Sequence, residues 1–181
     1  MKFLIVVDMQ NDFVTGPLGS AAACKARDNI EAYLKNLDDK TYVIFTRDTH
    51  EENYLDTLEG KMLPVPHCKL CTEGWEVDKR LAEVVADRER LKYADKFTFG
   101  AVYLHNSIRN VCCFYEEKID EAEIEICGVC TDICVVSNAL LLRAQFPNMK
   151  ISVLRDLCAG TSTEAHQAAL TVMGSCQIEV I

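Results

Sequence analysis

Ile124-Glu125-Ile126-Cys127-Gly128-Val129-Cys130-Thr131-Asp132-Ile133-Cys134-Val135 is the stretch on which the fold turns. A β-type apolar run, Glu123–Cys127, stops at a glycine. A short turn follows, and a helical pattern starts at once and runs over Asp132–Gln145. This is the strand–turn–helix half of a βαβ unit. It puts Cys134 in the first turn of a helix, just beyond a buried strand. Helix N-termini carry unpaired N–H groups and partial positive charge, and both favour a thiolate, the nucleophilic form of cysteine. Cys134 is therefore a candidate nucleophile. The competing reading is a buried helix cysteine of the ordinary kind.

Outward from this stretch the same alternation repeats. Apolar runs at Lys2–Val7, Tyr42–Thr46, Arg90–Tyr93, Ile151–Leu154 and Gln177–Ile181 read as further strands. Several are nearly continuous in Ile, Val, Leu and Phe, as strands covered on both faces are. Helical patterns lie between them at Ala21–Leu37, Val77–Val85, Asn106–Lys118 and Thr163–Met173. Alternation of this kind predicts right-handed βαβ units and an α/β domain. The expected architecture is a single doubly wound, Rossmann-like domain over residues 1–181, with a six-stranded parallel sheet and helices on both faces. With strand order 3-2-1-4-5-6, strands one and four are central neighbours, and ligands bind beyond their carboxyl ends. Asp8 closes strand one, Cys134 follows strand four, Asp48 and His50 follow strand two, and Lys96 follows strand three. All would converge on one edge.

Composition narrows the function. The chain has 181 residues, 49% of them apolar, which suffices for one domain with a sizeable core. Its net charge is −9, with no basic cluster, which argues against nucleic acid or an anionic membrane as partner. Ten cysteines would suit a disulfide scaffold. However, Phe3–Val7 is too short for a signal peptide and ends at Asp8, so free thiols in a reducing cytoplasm are the expectation. No segment reaches transmembrane length.

Asp8, in Val6-Val7-Asp8-Met9-Gln10-Asn11-Asp12-Phe13, ends an apolar strand. A carboxylate there needs a partner or a task, or else caps the next turn. Lys96 alone reads as a surface charge. Together with Cys134, each at a strand's carboxyl end, the three form a nucleophile–base–cation set. A second cluster lies in the long connection from Arg47 to Glu76. Asp48-Thr49-His50 and Pro64-Val65-Pro66-His67 offer one carboxylate and two imidazoles, ligands suited to zinc, iron(II) or manganese. Glu59 on the same loop is a candidate fourth ligand. The alternative is that these are loop polar groups bonded to backbone. A competing metal site, His67-Cys68-Lys69-Leu70-Cys71 with Cys112-Cys113, lacks a well-spaced second couple. His105 and His166 read as structural.

On these anchors the chain resembles the isochorismatase-like cysteine hydrolases, and among them the nicotinamidases. The anchors are Val7-Asp8-Met9-Gln10-Asn11-Asp12-Phe13, Thr46-Arg47-Asp48-Thr49-His50, Pro66-His67-Cys68, Lys96 with Phe99, and Gly128 to Val135. The resemblance implies a catalytic set of Asp8, Lys96 and Cys134. It also implies a cis peptide at Val129–Cys130, with backbone N–H groups of Cys130 and Cys134 as the oxyanion hole. It implies one divalent metal, zinc first with iron or manganese as alternatives, on Asp48, His50 and His67, with Glu59 in a place where some members add a glutamate. Met62 and Leu63 stand where nicotinamidases often carry a ring-stacking aromatic; Phe13 remains as a ring contact. A dimer or higher assembly is a further implication. The expected reaction is hydrolysis of nicotinamide to nicotinate and ammonia through a cysteine thioester. The alternatives are a related cysteine amidohydrolase acting on a carbamoyl, ureido or other small amide, and a non-catalytic binding member of the fold.

Overall fold

In the computed structural model, which describes residues 1–181, six parallel strands form one sheet in the order β3-β2-β1-β4-β5-β6. The strands are β1 (Lys2–Val7), β2 (Tyr42–Asp48), β3 (Leu91–Lys96), β4 (Glu123–Val129), β5 (Lys150–Ala159) and β6 (Glu179–Val180). The helices are α1 (Asn11–Val14), α2 (Ala21–Lys35), α3 (Leu58–Met62), α4 (Lys79–Val85), α5 (Leu104–Phe114), α6 (Val136–Gln145) and α7 (Thr163–Ser175). The expected single α/β domain and strand order are what is found. Phe3 to Val7 of β1 are fully buried, so the central strand is apolar on both faces. Helices α1 and α4 pack on α2, whereas α5, α6 and α7 pack in series, which covers the two faces. Ser20, Asp78 and Ser162 cap α2, α4 and α7 by accepting main-chain N–H bonds. No helix is long and apolar enough to cross a membrane.

Several element ends differ from the sequence expectation, and the differences carry chemistry. β3 extends to Lys96 rather than stopping at Tyr93, because Arg47 and Asp48 of β2 pair in register with Asp95 and Lys96. Asp48 and Lys96 are thus strand residues facing one another, not loop residues. β5 runs on past Leu154, through exposed Arg155 and Asp156, to pair Cys158 and Ala159 with Gly128 and Val129 after a register shift. β6 shrinks to two residues. The helix expected over Asn106–Lys118 sits two residues earlier and ends at Phe114. The helix expected from Asp132 opens with a π-type turn, Thr131–Val135, before α6.

Gly128 sets the spacing of the two central strands. It pairs with Val7, has φ of +117°, and a Cβ there would lie 2.1 Å from the Val7 carbonyl oxygen. Only glycine tolerates both demands. Gly128→Ala is expected to cost at least about 3 kcal/mol in urea unfolding or to prevent folding altogether. Gly174→Ala, with nothing within 4 Å of the added carbon, should be neutral or stabilising by up to about 1 kcal/mol. Equal stabilities for the two variants would contradict this account.

Candidate active site

The carboxyl edge of β1, β2, β3 and β4 brings the charged residues together. Asp8 follows β1 with φ of +49°, a left-handed conformation that Asp adopts more readily than most residues. Its N–H donates to Thr46, and its Oδ1 accepts the Thr46 hydroxyl at 2.6 Å. Its Oδ2 lies 2.7 Å from Lys96 Nζ. Lys96 Nζ also reaches Asp48 Oδ1 at 2.9 Å and Cys134 Sγ at 3.6 Å. All four side chains are buried. One ammonium therefore touches two carboxylates and a thiol.

Burial and charge shift these groups in opposite senses. Burial raises Asp8 above the ordinary carboxylate range; Lys96 opposes this and Asp48 adds to it. Burial would lower Lys96, but Asp8, Cys134 and Asp48 outweigh it and hold the ammonium charged. Burial would likewise raise Asp48, but the close approach of His50 and His67 and the Lys96 charge hold it well below the ordinary range. Cys134 is pushed well above the ordinary thiol value by burial, then by the Asp8 charge, with Lys96 opposing. The helix terminus favours the thiolate, and burial beside a carboxylate opposes it, so a base at hand matters to this sulfur.

The metal candidates also converge. Ligand atoms of Asp48, His50, Glu59 and His67 all lie within 4.8 Å of one another. Asp48 Oδ2 is 2.9 Å from His50 Nε2 and 3.5 Å from His67 Nε2. Glu59 Oε1 is 3.6 Å and 4.0 Å from the same two nitrogens. Ligand atoms on a tetrahedral ion with bonds of about 2.0–2.2 Å sit about 3.3–3.6 Å apart, so the set fits a small divalent cation. Two further observations agree. His50 Nε2 is buried with no aligned hydrogen-bond partner. His67 Nδ1 sits 2.8 Å from the Val65 carbonyl, which fixes the ring and leaves Nε2 facing the cluster. The competing cysteine site does not form: Cys112 is buried and Cys113 exposed on α5, and neither joins a ligand group. All ten cysteines are free.

The backbone around these ligands is braced by residues that had no role assigned from sequence. Gln10 accepts from the Asp48 N–H at 2.7 Å and donates to the Asp48 and Trp75 carbonyls, both at 2.8 Å. Its place straight after a buried strand in the Asp8–Phe13 motif was the only signal for it. His50 and Cys68 are tied by a main-chain bond, and the Cys68 N–H donates to Asp12 Oδ2, which seats His67 beside His50. Tyr54, fully buried, packs its ring 4.5 Å from His50 and 5.1 Å from His67. Phe13 meets His67 edge-on at 5.3 Å. Met62 is 81% exposed and Leu63 38%, and the rings packed beside the two imidazoles are those of Tyr54 and Phe13. Val129–Cys130 is a cis peptide, as the resemblance implied. It leads into the π-turn that carries Cys134, where the Cys130 carbonyl accepts from Ile133 and Val135.

Comparison with known proteins agrees with this geometry. The Isochorismatase domain profile matches residues 2–181. A nicotinamidase/pyrazinamidase of Mycobacterium tuberculosis is 28% identical over all of this chain and 98% of its own length. The crystal structure of a nicotinamidase/pyrazinamidase from Bacillus subtilis superposes with a TM-score of 0.83 at 27% identity, covering 99% of this chain and 98% of that one. A pyrazinamidase from Pyrococcus horikoshii, solved in complex with zinc, has a TM-score of 0.77 at 26% identity, with 99% and 98% covered. The strand order, the edge cluster and the profile match together place this chain in the isochorismatase family.

Proposed function

We propose that this chain is a metal-dependent amidohydrolase that converts nicotinamide to nicotinate and ammonia through a thioester on Cys134. The observation that carries the reading is the position of Lys96 Nζ, 2.7 Å from Asp8, 2.9 Å from Asp48 and 3.6 Å from Cys134. That arrangement joins a base, a nucleophile and the anion of the His cluster around one cation. The nicotinamidase relatives support the substrate class.

Asp8 takes the Cys134 proton. Burial raises Asp8, so the carboxylate is a stronger base than an exposed aspartate. Lys96 offsets the negative charge that passes to sulfur. The thiolate attacks the carboxamide carbon, and the oxygen that gains charge is received by the N–H groups of Cys130 and Cys134. Losing one such donor typically costs about 100-fold or more in rate. Asp8 returns its proton to the departing nitrogen, and ammonia leaves. Water then attacks the thioester, giving its proton to Asp8, and nicotinate departs as the thiol re-forms. Asp48, His50, Glu59 and His67 would hold the ion. When bound, it supplies a Lewis-acidic anchor for a heteroaromatic nitrogen, which orients the ring. The rings of Phe13 and Tyr54 pack against His67 and hold its imidazole in place. Correct placement of a bound amide is worth several kcal/mol of barrier on its own.

Two tests follow from these roles. Purified protein should carry about one equivalent of divalent metal by elemental analysis, and should release ammonia from nicotinamide but not from N-carbamoylglycine. Cys134→Ala should abolish turnover while keeping the metal, and His67→Ala should lose both. Preference for the carbamoyl compound, or turnover untouched by chelation, would overturn the nicotinamide reading. Asp8→Asn keeps a side chain that tolerates positive φ and removes the base. Ammonia release should drop by about 100-fold or more, and iodoacetamide should alkylate Cys134 at pH 7 more slowly than in the wild type, because the buried thiol has lost its proton acceptor. Near-normal turnover, or alkylation as fast as in the wild type, would contradict the role given to Asp8.

A further inference from the structure

Thr131 directly follows Cys130, is fully buried, and has its hydroxyl 2.8 Å from His166 Nδ1 on the first turns of α7. The next residue is held as well. Asp132 Oδ1 accepts the Thr161 N–H at 2.8 Å and its Oδ2 accepts the Thr161 hydroxyl at 2.5 Å. On the other side of Cys130, Val129 is in register with Ala159 of β5. Cys130 is thus the one residue between two points fixed to the same β5–α7 segment. The fit there is tight: a Cβ on Gly160 would lie 2.7 Å from Asp132 Oδ1 and 2.8 Å from His166 Cβ.

His166 does not belong to the reacting groups. It lines a separate cavity with Lys25, Arg155 and Ser162 that includes none of Asp8, Lys96 or Cys134. Its only side-chain bond is to Thr131. We propose that His166 is a positioning residue: through the Thr131 hydroxyl it fixes the peptide N–H of Cys130 at the oxyanion site. The inference rests on the mechanism proposed above for that site. Oxyanion donors accelerate a reaction by being aimed in advance at charge that exists only in the transition state. Loosening one donor should therefore lower kcat and leave substrate affinity nearly unchanged.

The test compares His166→Ala, His166→Asn, Thr131→Val, Thr131→Ser and the His166→Ala/Thr131→Val double variant. The substrate is whichever of nicotinamide, pyrazinamide or N-carbamoylglycine the wild-type enzyme hydrolyses. Asparagine can place a polar atom near the Nδ1 position, and serine keeps the hydroxyl, so these two check the bond where the apolar variants fail to fold. His166→Ala and Thr131→Val should each lower kcat about 10–100-fold with KM changed less than about threefold. The double variant should be no worse than either single, since both remove one interaction. His166→Asn and Thr131→Ser should recover most of the rate. The affinity of an aldehyde analogue, which forms an oxyanion on Cys134, should fall in step with kcat, while alkylation of Cys134 stays unchanged. Full kcat in the folded apolar variants, additive losses, or no rescue would overturn the role of His166 alone. A wild-type enzyme inert towards all three amides would overturn both this inference and the mechanism beneath it.

Discussion

The site depends on a buried ammonium. Lys96 Nζ lies between Asp8 and Asp48 in a region almost without solvent. Two carboxylates at that depth would repel one another and pay a large desolvation cost; a shared cation makes their proximity tolerable. Such a cluster is poor evidence for net stability, since apolar replacements often serve as well. Its value is chemical. Asp48 is held ionised, with one oxygen on Lys96 and the other on the two imidazoles. Asp8 is raised by burial, beside a thiol that burial also raises. The candidate metal cluster and the Cys134 thiol are thereby joined through one side chain, Lys96.

Register makes that cation available. Lys96 sits opposite Asp48 because β2 and β3 pair residue by residue from Val43–Leu91 onward, and Asp8 is tied to Thr46 of β2. On the far side, Gly128 lets β1 and β4 approach closely enough that the π-turn bearing Cys134 stands beside the end of β1. The loop from Asp48 to Trp75 then folds back over this edge. Arg47 stacks on Trp75 with its guanidinium carbon 3.7 Å from the ring centroid, and Trp75 donates to Thr49 at 2.9 Å. Asp48 thus lies on β2 itself, and the other candidate ligands, His50, Glu59 and His67, come from a loop whose two ends are pinned beside the end of β2.

Much of this was legible in the residues themselves. Apolar runs broken by Asp8 and Gly128 announced parallel strands, and the chemistry-bearing residues at their ends had to meet on one edge of a doubly wound sheet. What was not legible has physical reasons. β3 is an edge strand whose Lys92, Tyr93 and Asp95 are exposed, so its apolar run breaks off at Tyr93 and its end at Lys96 was hidden. β5 continues through Arg155 and Asp156 because main-chain pairing with Gly128 and Val129 holds it, and side-chain type does not report that. Gln10, Thr46, Tyr54 and His166 act by hydrogen bonds or ring packing to partners 35 or more residues away, or, for Tyr54, across a folded loop. The helix-terminus argument that singled out Cys134 left out desolvation, which acts against the thiolate.

The most direct test of the central claim is chemical capture of the acyl intermediate. Enzyme turning over excess nicotinamide should be quenched in acid within milliseconds, digested, and mapped by mass spectrometry. The account predicts one nicotinoyl group, carried by the peptide that contains Cys134 and absent from the other nine cysteines. Steady turnover with Cys134 unmodified at every quench time, or with the acyl group on another residue, would contradict it.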